Sequence, residues 1–227
     1  MSTPFTLQDP GRPIHVGIIL LAAITELSDV APIDYLHVLD QKLLSSFPDS
    51  IFSADDKAAG LNCVFHWVAE TDKAPCKLTA GAQLVPTDTF ETCPPLDIVL
   101  TGATGVGYEM TKAELAFVRK SWNDCSAYLA ICYGQECLLK AGILEGKTVT
   151  APSDLLPSLR QEYPGTTWVE KRWQRDGKLW TSGTNMNGLD LMRAFILHTW
   201  GEGKGDLIAK ASKLAAWPVR DVDYGDC

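Results

Sequence analysis

Two kinds of hydrophobic pattern alternate along this chain. Short, near-continuous apolar runs mark strands covered on both faces of a parallel sheet. Stretches with apolar residues every third or fourth position mark helices packed against it. The first run is Ile14 to Leu21, followed by Ala22 to Asp29 as a loop. Val30 to Leu44 has helical spacing, with Pro32 tolerable in the first turn and Ser28 or Asp29 suited to cap it. Pro48 to Gly60 is polar and reads as loop. Leu61 to Val68 alternates loosely, as a strand does, and Lys77 to Pro86 reads as two extended pieces around a turn at Gly81.

The second half repeats the alternation. Asp97 to Thr101 is a buried strand, and Thr111 to Trp122 a helix with Thr111 and Glu114 in capping-box register. Ala127 to Ile131 is another buried strand, and Gln135 to Ala141 a short helix ended by Gly142. Thr148 to Ala151 predicts a strand and Asp154 to Tyr163 a helix stopped by Pro164. Thr167 to Trp173 and Lys178 to Thr181 predict strands around Asp176-Gly177, a hairpin signal. Asn187 to Trp200 and Asp206 to Trp217 predict two helices. The expectation is one α/β domain, a three-layer sandwich with a central, mostly parallel sheet spanning residues 1–227. Residues 1–12 form an N-terminal extension in this reading, and 218–227 a C-terminal tail.

The sharpest local feature lies between the fourth long strand and its helix, at Cys132-Tyr133-Gly134. A chain that passes from strand to helix within three residues bends sharply, and Gly134 permits the close approach at that bend. The residue at the apex is lifted toward the cleft above the strand ends. A helix N-terminus there favours an anion and is expected to lower the Cys132 thiol pKa. The competing reading is a small buried core cysteine.

Ligands in open parallel sheets bind beyond the carboxyl ends of the strands. Ala22–Asp29, Thr101–Gly107 and Cys132–Gly134 all reach that edge, and they supply acids, a glycine-rich backbone turn and a thiol. Glu26 or Asp29 is placed to share a proton with Cys132. The alternative for Asp29 is a helix N-cap and for Glu26 a solvated carboxylate. The glycines of Gly102 to Gly107 do not form G-x-G-x-x-G and lack a first-strand context, so oxyanion-binding amides suit them better than a dinucleotide. Of His15, His37, His66 and His198, only His66 is retained as a candidate. Trp168, Trp173 and Trp180 read as core or interface.

Composition narrows the class. A hydrophobic share of 46% with 21% charged residues is that of a well-cored globular chain. A net charge of −8 with no basic run argues against nucleic acid and anionic membranes. No apolar stretch reaches the roughly 18 residues of a membrane span. The N-terminus lacks a secretory pattern, so a cytoplasmic location is expected. Seven irregularly spaced cysteines without C-x-x-C suggest reduced thiols rather than disulfides or zinc.

With these residues in place, the chain resembles the ThiJ/PfpI superfamily, which shares the flavodoxin-like fold of class I glutamine amidotransferases. The resemblance runs through Val16-Gly-Ile-Ile-Leu with Asp29-Val-Ala-Pro32, Leu96 to Ala103, Ala130-Ile-Cys132-Tyr-Gly134, Leu138 to Lys147, and Asp176 to Gly183. The elbow followed by L-x-x-A-G-I-L-x-G-K is the specific part. Within the superfamily the chain looks most like the isonitrile hydratase-type branch. The resemblance implies Cys132 as nucleophile and Asp29 as its proton partner. The amides of Gly102, Ala103, Tyr133 and Gly134 would bind the oxyanion or substrate, without metal or cofactor. Matching Asp29 takes a one-residue gap before Pro32; without the gap Ser28 falls there, and Glu26 stays open.

Three departures bear on activity. Tyr133 stands where protease-like members place histidine, which argues against a Cys-His peptidase. Ala151-Pro152 replaces a family histidine, and Ala103 a glycine. The resemblance implies a homodimeric hydro-lyase that adds water to a small molecule, isonitrile hydration being the nearest named reaction. The alternatives are a secondary-metabolite dehydratase, lyase or cyclase, a glyoxalase-like enzyme, or a redox or stress sensor acting through Cys132.

Overall fold

The computed structural model describes residues 5–225 with the exception of Val106. Its strands are β1 (Ile14–Ile19), β2 (Cys63–Ala69), β3 (Cys76–Lys77), β4 (Gln83–Leu84), β5 (Asp88–Thr89), β6 (Ile98–Thr101), β7 (Ala127–Ala130), β8 (Thr148–Val149), β9 (Thr167–Trp168), β10 (Trp173–Asp176) and β11 (Leu179–Ser182). Seven of them form one sheet in the order β10-β11-β7-β6-β1-β2-β5. Every pairing in it is parallel except β10 with β11, whose antiparallel register closes the Asp176-Gly177 hairpin.

Alternation along the strands feeds two cores, one on each face. Val16, Ile18, Ile98, Leu100, Leu129 and Ile131 enter one cluster, and Ile19, Val99, Tyr128 and Ala130 the other. The helices are α1 (Leu27–Val30), α2 (Ile33–His37), α3 (Gln41–Leu44), α4 (Ala54–Ala59), α5 (Lys112–Asp124), α6 (Glu136–Lys140), α7 (Leu156–Glu162) and α8 (Asn187–Leu214). Ile33 and Leu36 of α2 join Leu191, Phe195, Ile196 and Ile208 of α8 in the first cluster. Phe117 and Val118 of α5, Leu138 of α6 and Leu159 of α7 fill the second. This is the expected mixed α/β architecture.

Several element boundaries differ from expectation. Val30 to Leu44 is not one helix but parts of three, because Pro32 interrupts the ladder and Asp40 caps a new start by accepting the Lys42 N–H at 2.9 Å. The polar stretch before Gly60 contains α4, started by a Ser53/Asp56 capping box. The two expected final helices adjoin as the two arms of α8, which meet at a kink where Lys204 leaves the helical region at φ −130°. The expected strand from Thr167 divides into β9 and β10. The N-terminal extension packs on the domain through Leu7, which is buried and whose carbonyl accepts the Trp200 indole N–H at 2.7 Å.

The topology fixes where a site forms. From β1 the chain builds outward through β2 to β5, then returns to the other flank of β1 as β6. Loops leaving β1 and β6 therefore part at the same point, the crevice where parallel sheets take ligands.

Candidate functional site

Cys132 follows directly on the last residue before the turn. Ile131 is still extended, and Cys132 itself takes φ +57°, in the left-handed region that disfavours side chains. Three contacts hold it there. The Cys132 N–H donates to Ser182 Oγ at 3.0 Å, and the Gly134 N–H donates to the Ile131 carbonyl at 2.7 Å. Gly134 also lies flush against β6, where a Cβ would stand 2.3 Å from the Thr101 carbonyl oxygen. The elbow thus has the expected shape, and Gly134 serves its backbone rather than a ligand, because its amide is already engaged.

Asp29 comes from α1 and is fully buried. It is not an N-cap: Glu26 occupies that position, with no side-chain capping bond. Instead the Asp29 carboxylate turns under the β6 loop, where Oδ2 accepts the Ala103 N–H at 2.8 Å. Oδ1 is buried with no hydrogen-bond partner among the described residues. Gly102 makes the approach possible, since a Cβ there would meet Asp29 Cβ at 2.8 Å. Burial, reinforced by Glu26 and opposed by the Ala103 amide, pushes the Asp29 carboxyl up to about 7.

Glu26 completes the group. Its Oε2 accepts the side-chain amide of Asn185, which also reaches Ser28 Oγ at 3.2 Å. The nearest ligand atoms of Glu26, Asp29 and Cys132 lie within 4.8 Å of one another. Such a trio has the spacing to hold a cation. Burial first, then the negative charge of Asp29, pushes the Cys132 thiol up to about 12.

That rise overturns the lowered thiol pKa expected from a helix N-terminus. The turn Cys132–Gln135 is 3₁₀ and α6 has only five residues, so its dipole is small beside the cost of burial. The Tyr133 and Asn185 N–H groups favour the thiolate, though not enough to reverse it. Ala103 is likewise no free oxyanion donor, its N–H being committed to Asp29. The Tyr133 side chain is half-buried, and the groups acting on its hydroxyl are Glu136, Tyr163 and Glu162. Its contribution to the trio is its backbone amide. Val106 in the glycine-rich stretch lies outside the described residues.

His66 does not join this group. It bridges His15 and Asp88, each at 2.9 Å, within β1, β2 and β5. Two participants escaped the reading of the sequence. Ser182 ends β11, beside β7, and Asn185 lies in the loop after it; nothing in their local spacing marks them, and only the sheet order brings them to Cys132.

The comparisons fit this geometry. The DJ-1/PfpI family model matches residues 51–198. An isonitrile hydratase from Pseudomonas putida is 30% identical over 218 residues, covering 94% of this chain and 84% of that protein. Drosophila melanogaster DJ-1beta superposes with a TM-score of 0.70 at 14% identity, over 92% of this chain and 100% of that one. A ThiJ/PfpI family protein from Pseudomonas syringae gives 0.69 at 17% identity, over 95% and 80%. Fold, topology and sequence agree: the chain belongs to the DJ-1/PfpI family.

Proposed function

We propose that this chain is a cofactor-free hydratase of small isonitriles, in which Asp29 supplies the proton and Cys132 the nucleophile. The observation that carries the reading is a buried carboxyl with one bare oxygen, poised near neutrality beside a cysteine sulfur. Likeness to an isonitrile hydratase over most of the chain supports it.

The chemistry follows from which group holds a proton. At neutral pH the thiol is protonated and Asp29 is partly so. An isonitrile carbon carries a lone pair and accepts the Asp29 proton, giving a nitrilium. The Cys132 sulfur then attacks that carbon while its own proton passes to the Asp29 carboxylate. The product is a thioimidate, R–N=CH–S–Cys132, with the acid restored. Water adds across its C=N bond, and the tetrahedral adduct expels the thiol to leave R–NH–CHO. Overall one water is consumed and no electrons are exchanged. The slender, linear isonitrile end also suits a cysteine that is only 9% exposed.

A protonated, buried thiol fits this acid-first route better than a redox sensor, which relies on an accessible thiolate. The same reading carries a single ThiJ/PfpI-type domain, a homodimer and a cytoplasmic location. No helix among the described residues is long and apolar enough to cross a membrane. The test is incubation with cyclohexyl isocyanide and mass-spectrometric detection of N-cyclohexylformamide. Formation by the parent chain and loss in both Cys132→Ala and Asp29→Asn supports the mechanism. Full activity in either variant, or no formamide from the parent, overturns it.

A further inference from the structure

The segment after α8 is more than a tail. Arg220 forks onto Asp190, with Nε–Oδ1 at 3.0 Å and Nη2–Oδ2 at 2.6 Å, and also donates to the Met186 carbonyl. The Val222 carbonyl accepts the Arg172 N–H at 2.8 Å. Tyr224 then lays its ring against the Arg172 guanidinium and donates its hydroxyl to Asn187 Oδ1 at 2.7 Å. The chain thus folds back over the loop that follows β11.

Asn187 Oδ1 is the hub of that loop. Besides the Tyr224 hydroxyl it accepts the Thr184 N–H and the Thr184 hydroxyl, both at 3.1 Å. Those bonds close a turn from Thr184 to Asn187, and Asn187 Nδ2 ties the turn to Asp190 at 3.3 Å. Fit is tight: a Cβ on Gly183 would stand 2.4 Å from the Tyr224 hydroxyl oxygen. Inside the turn sits Asn185, whose side chain holds Glu26 and Ser28 and whose backbone N–H favours the Cys132 anion.

We propose that Tyr224 is a positioning residue, whose hydroxyl locks the Thr184–Asn187 turn and so presents Asn185 to Cys132 and Glu26. The segment from Arg220 to Tyr224 acts as a strap across one wall of the site. The proposal rests on Cys132 and Asp29 as the reacting pair only for its effect on turnover. Its test reads the thiol itself, so it can fail while that pair stands.

Tyr224→Phe keeps the ring over Arg172 and removes only the hydroxyl. The expected result is Cys132 alkylation by iodoacetamide at pH 8.5 slowed about fivefold, followed on the Cys132 peptide by mass spectrometry, with the thermal midpoint little changed. Asn187→Ala should slow it similarly, and the double variant should add little further, as residues acting through one contact do. An unchanged or faster rate in Tyr224→Phe overturns the proposal. Should that variant unfold, hydrogen exchange on the parent decides. The Thr184 and Asn185 amides must exchange as slowly as those of β11, and exchange at open-loop rates overturns the proposal equally.

Discussion

Asp29 accepts the Ala103 N–H through Oδ2 at 2.8 Å and leaves Oδ1 without a hydrogen-bond partner among the described residues, so one buried carboxyl is half-satisfied there. The bond pins the β1 loop to the β6 loop. The bare oxygen is where a proton resides when the group is neutral, and burial makes that neutral form favourable up to pH of about 7. An asparagine keeps the Ala103 bond through its carbonyl and carries no charge.

Asp29→Asn is therefore expected to stabilise the fold at alkaline pH while abolishing turnover. The carboxyl pKa rises from 3.8 unfolded to about 7 folded, so the folded state binds more protons between those values. Its stabilising effect is complete below pH of about 4 and is lost as pH rises to about 7. Above that the buried anion costs up to about 4 kcal/mol, from roughly three pKa units at about 1.4 kcal/mol each. The new amide N–H₂ is itself unpaired, which offsets about 1–3 kcal/mol of the gain. Calorimetry at pH 8 should show a midpoint a few degrees above the parent, shrinking toward pH 4. A midpoint below the parent at pH 8 would contradict the buried-acid assignment.

Catalysis should show the complementary dependence. If Asp29 must carry its proton, kcat/KM is flat below pH of about 7 and falls about tenfold per unit above it. A rate that climbs through pH 7 and levels off near 9 would instead mark a thiolate mechanism and exclude the acid-first route.

Alkylation of Cys132 separates thiol from carboxyl. With its pKa pushed up to about 12, the rate should still rise log-linearly between pH 7 and 10 without a plateau. Replacing Asp29 by Asn removes a neighbouring negative charge and should accelerate it at pH 9. A plateau near pH 6 in the parent chain would show a stabilised thiolate.

The parts of this site that were legible in the sequence are those fixed by local physics. Apolar runs gave β1, β6 and β7, Gly134 marked the elbow, and Thr111 with Glu114 forms the capping box that starts α5. Asp29 and Glu26 were readable as acids near a strand end, but choosing between them was not, because the Ala103 contact that buries Asp29 spans 74 residues. Asn185 and Tyr224 were invisible for the same reason. At the thiol a short helix suggests a dipole, whereas desolvation depends on packing that no spacing records. Regular apolar spacing from Val30 to Leu44 masks the breaks at Pro32 and Asp40.

Gly134 is expected to tolerate no side chain. Its would-be Cβ meets the Thr101 carbonyl oxygen at 2.3 Å and carbon at 2.9 Å, both backbone atoms of a central strand that cannot yield. Gly134→Ala should cost about 3 kcal/mol or more by denaturant unfolding, or else displace the elbow and erase activity. At Gly102 the obstacle is Asp29 Cβ, on a four-residue helix better able to move. Gly102→Ala should cost less stability yet still impair turnover by shifting Asp29. Equal, small effects at both positions would show that the β6–elbow contact is looser than described.

The left-handed backbone at Cys132 gives a last comparison. At φ +57° a Cβ is unfavourable by about 1 kcal/mol, and only glycine escapes that penalty. Removing the sulfur should leave the strain in Cys132→Ala and relieve it in Cys132→Gly. Glycine also gains freedom in the unfolded chain, which takes back part of the benefit. Cys132→Gly should thus unfold about 0.5 kcal/mol later than Cys132→Ala, the reverse of the order at an ordinary helical position. Ser182→Ala probes what holds the strain, since it removes the acceptor of the buried Cys132 N–H and should cost about 1–3 kcal/mol. If the alanine variant proves the more stable of the pair, the turn has relaxed out of the left-handed region. The sulfur would then be presented by packing rather than by a constrained backbone.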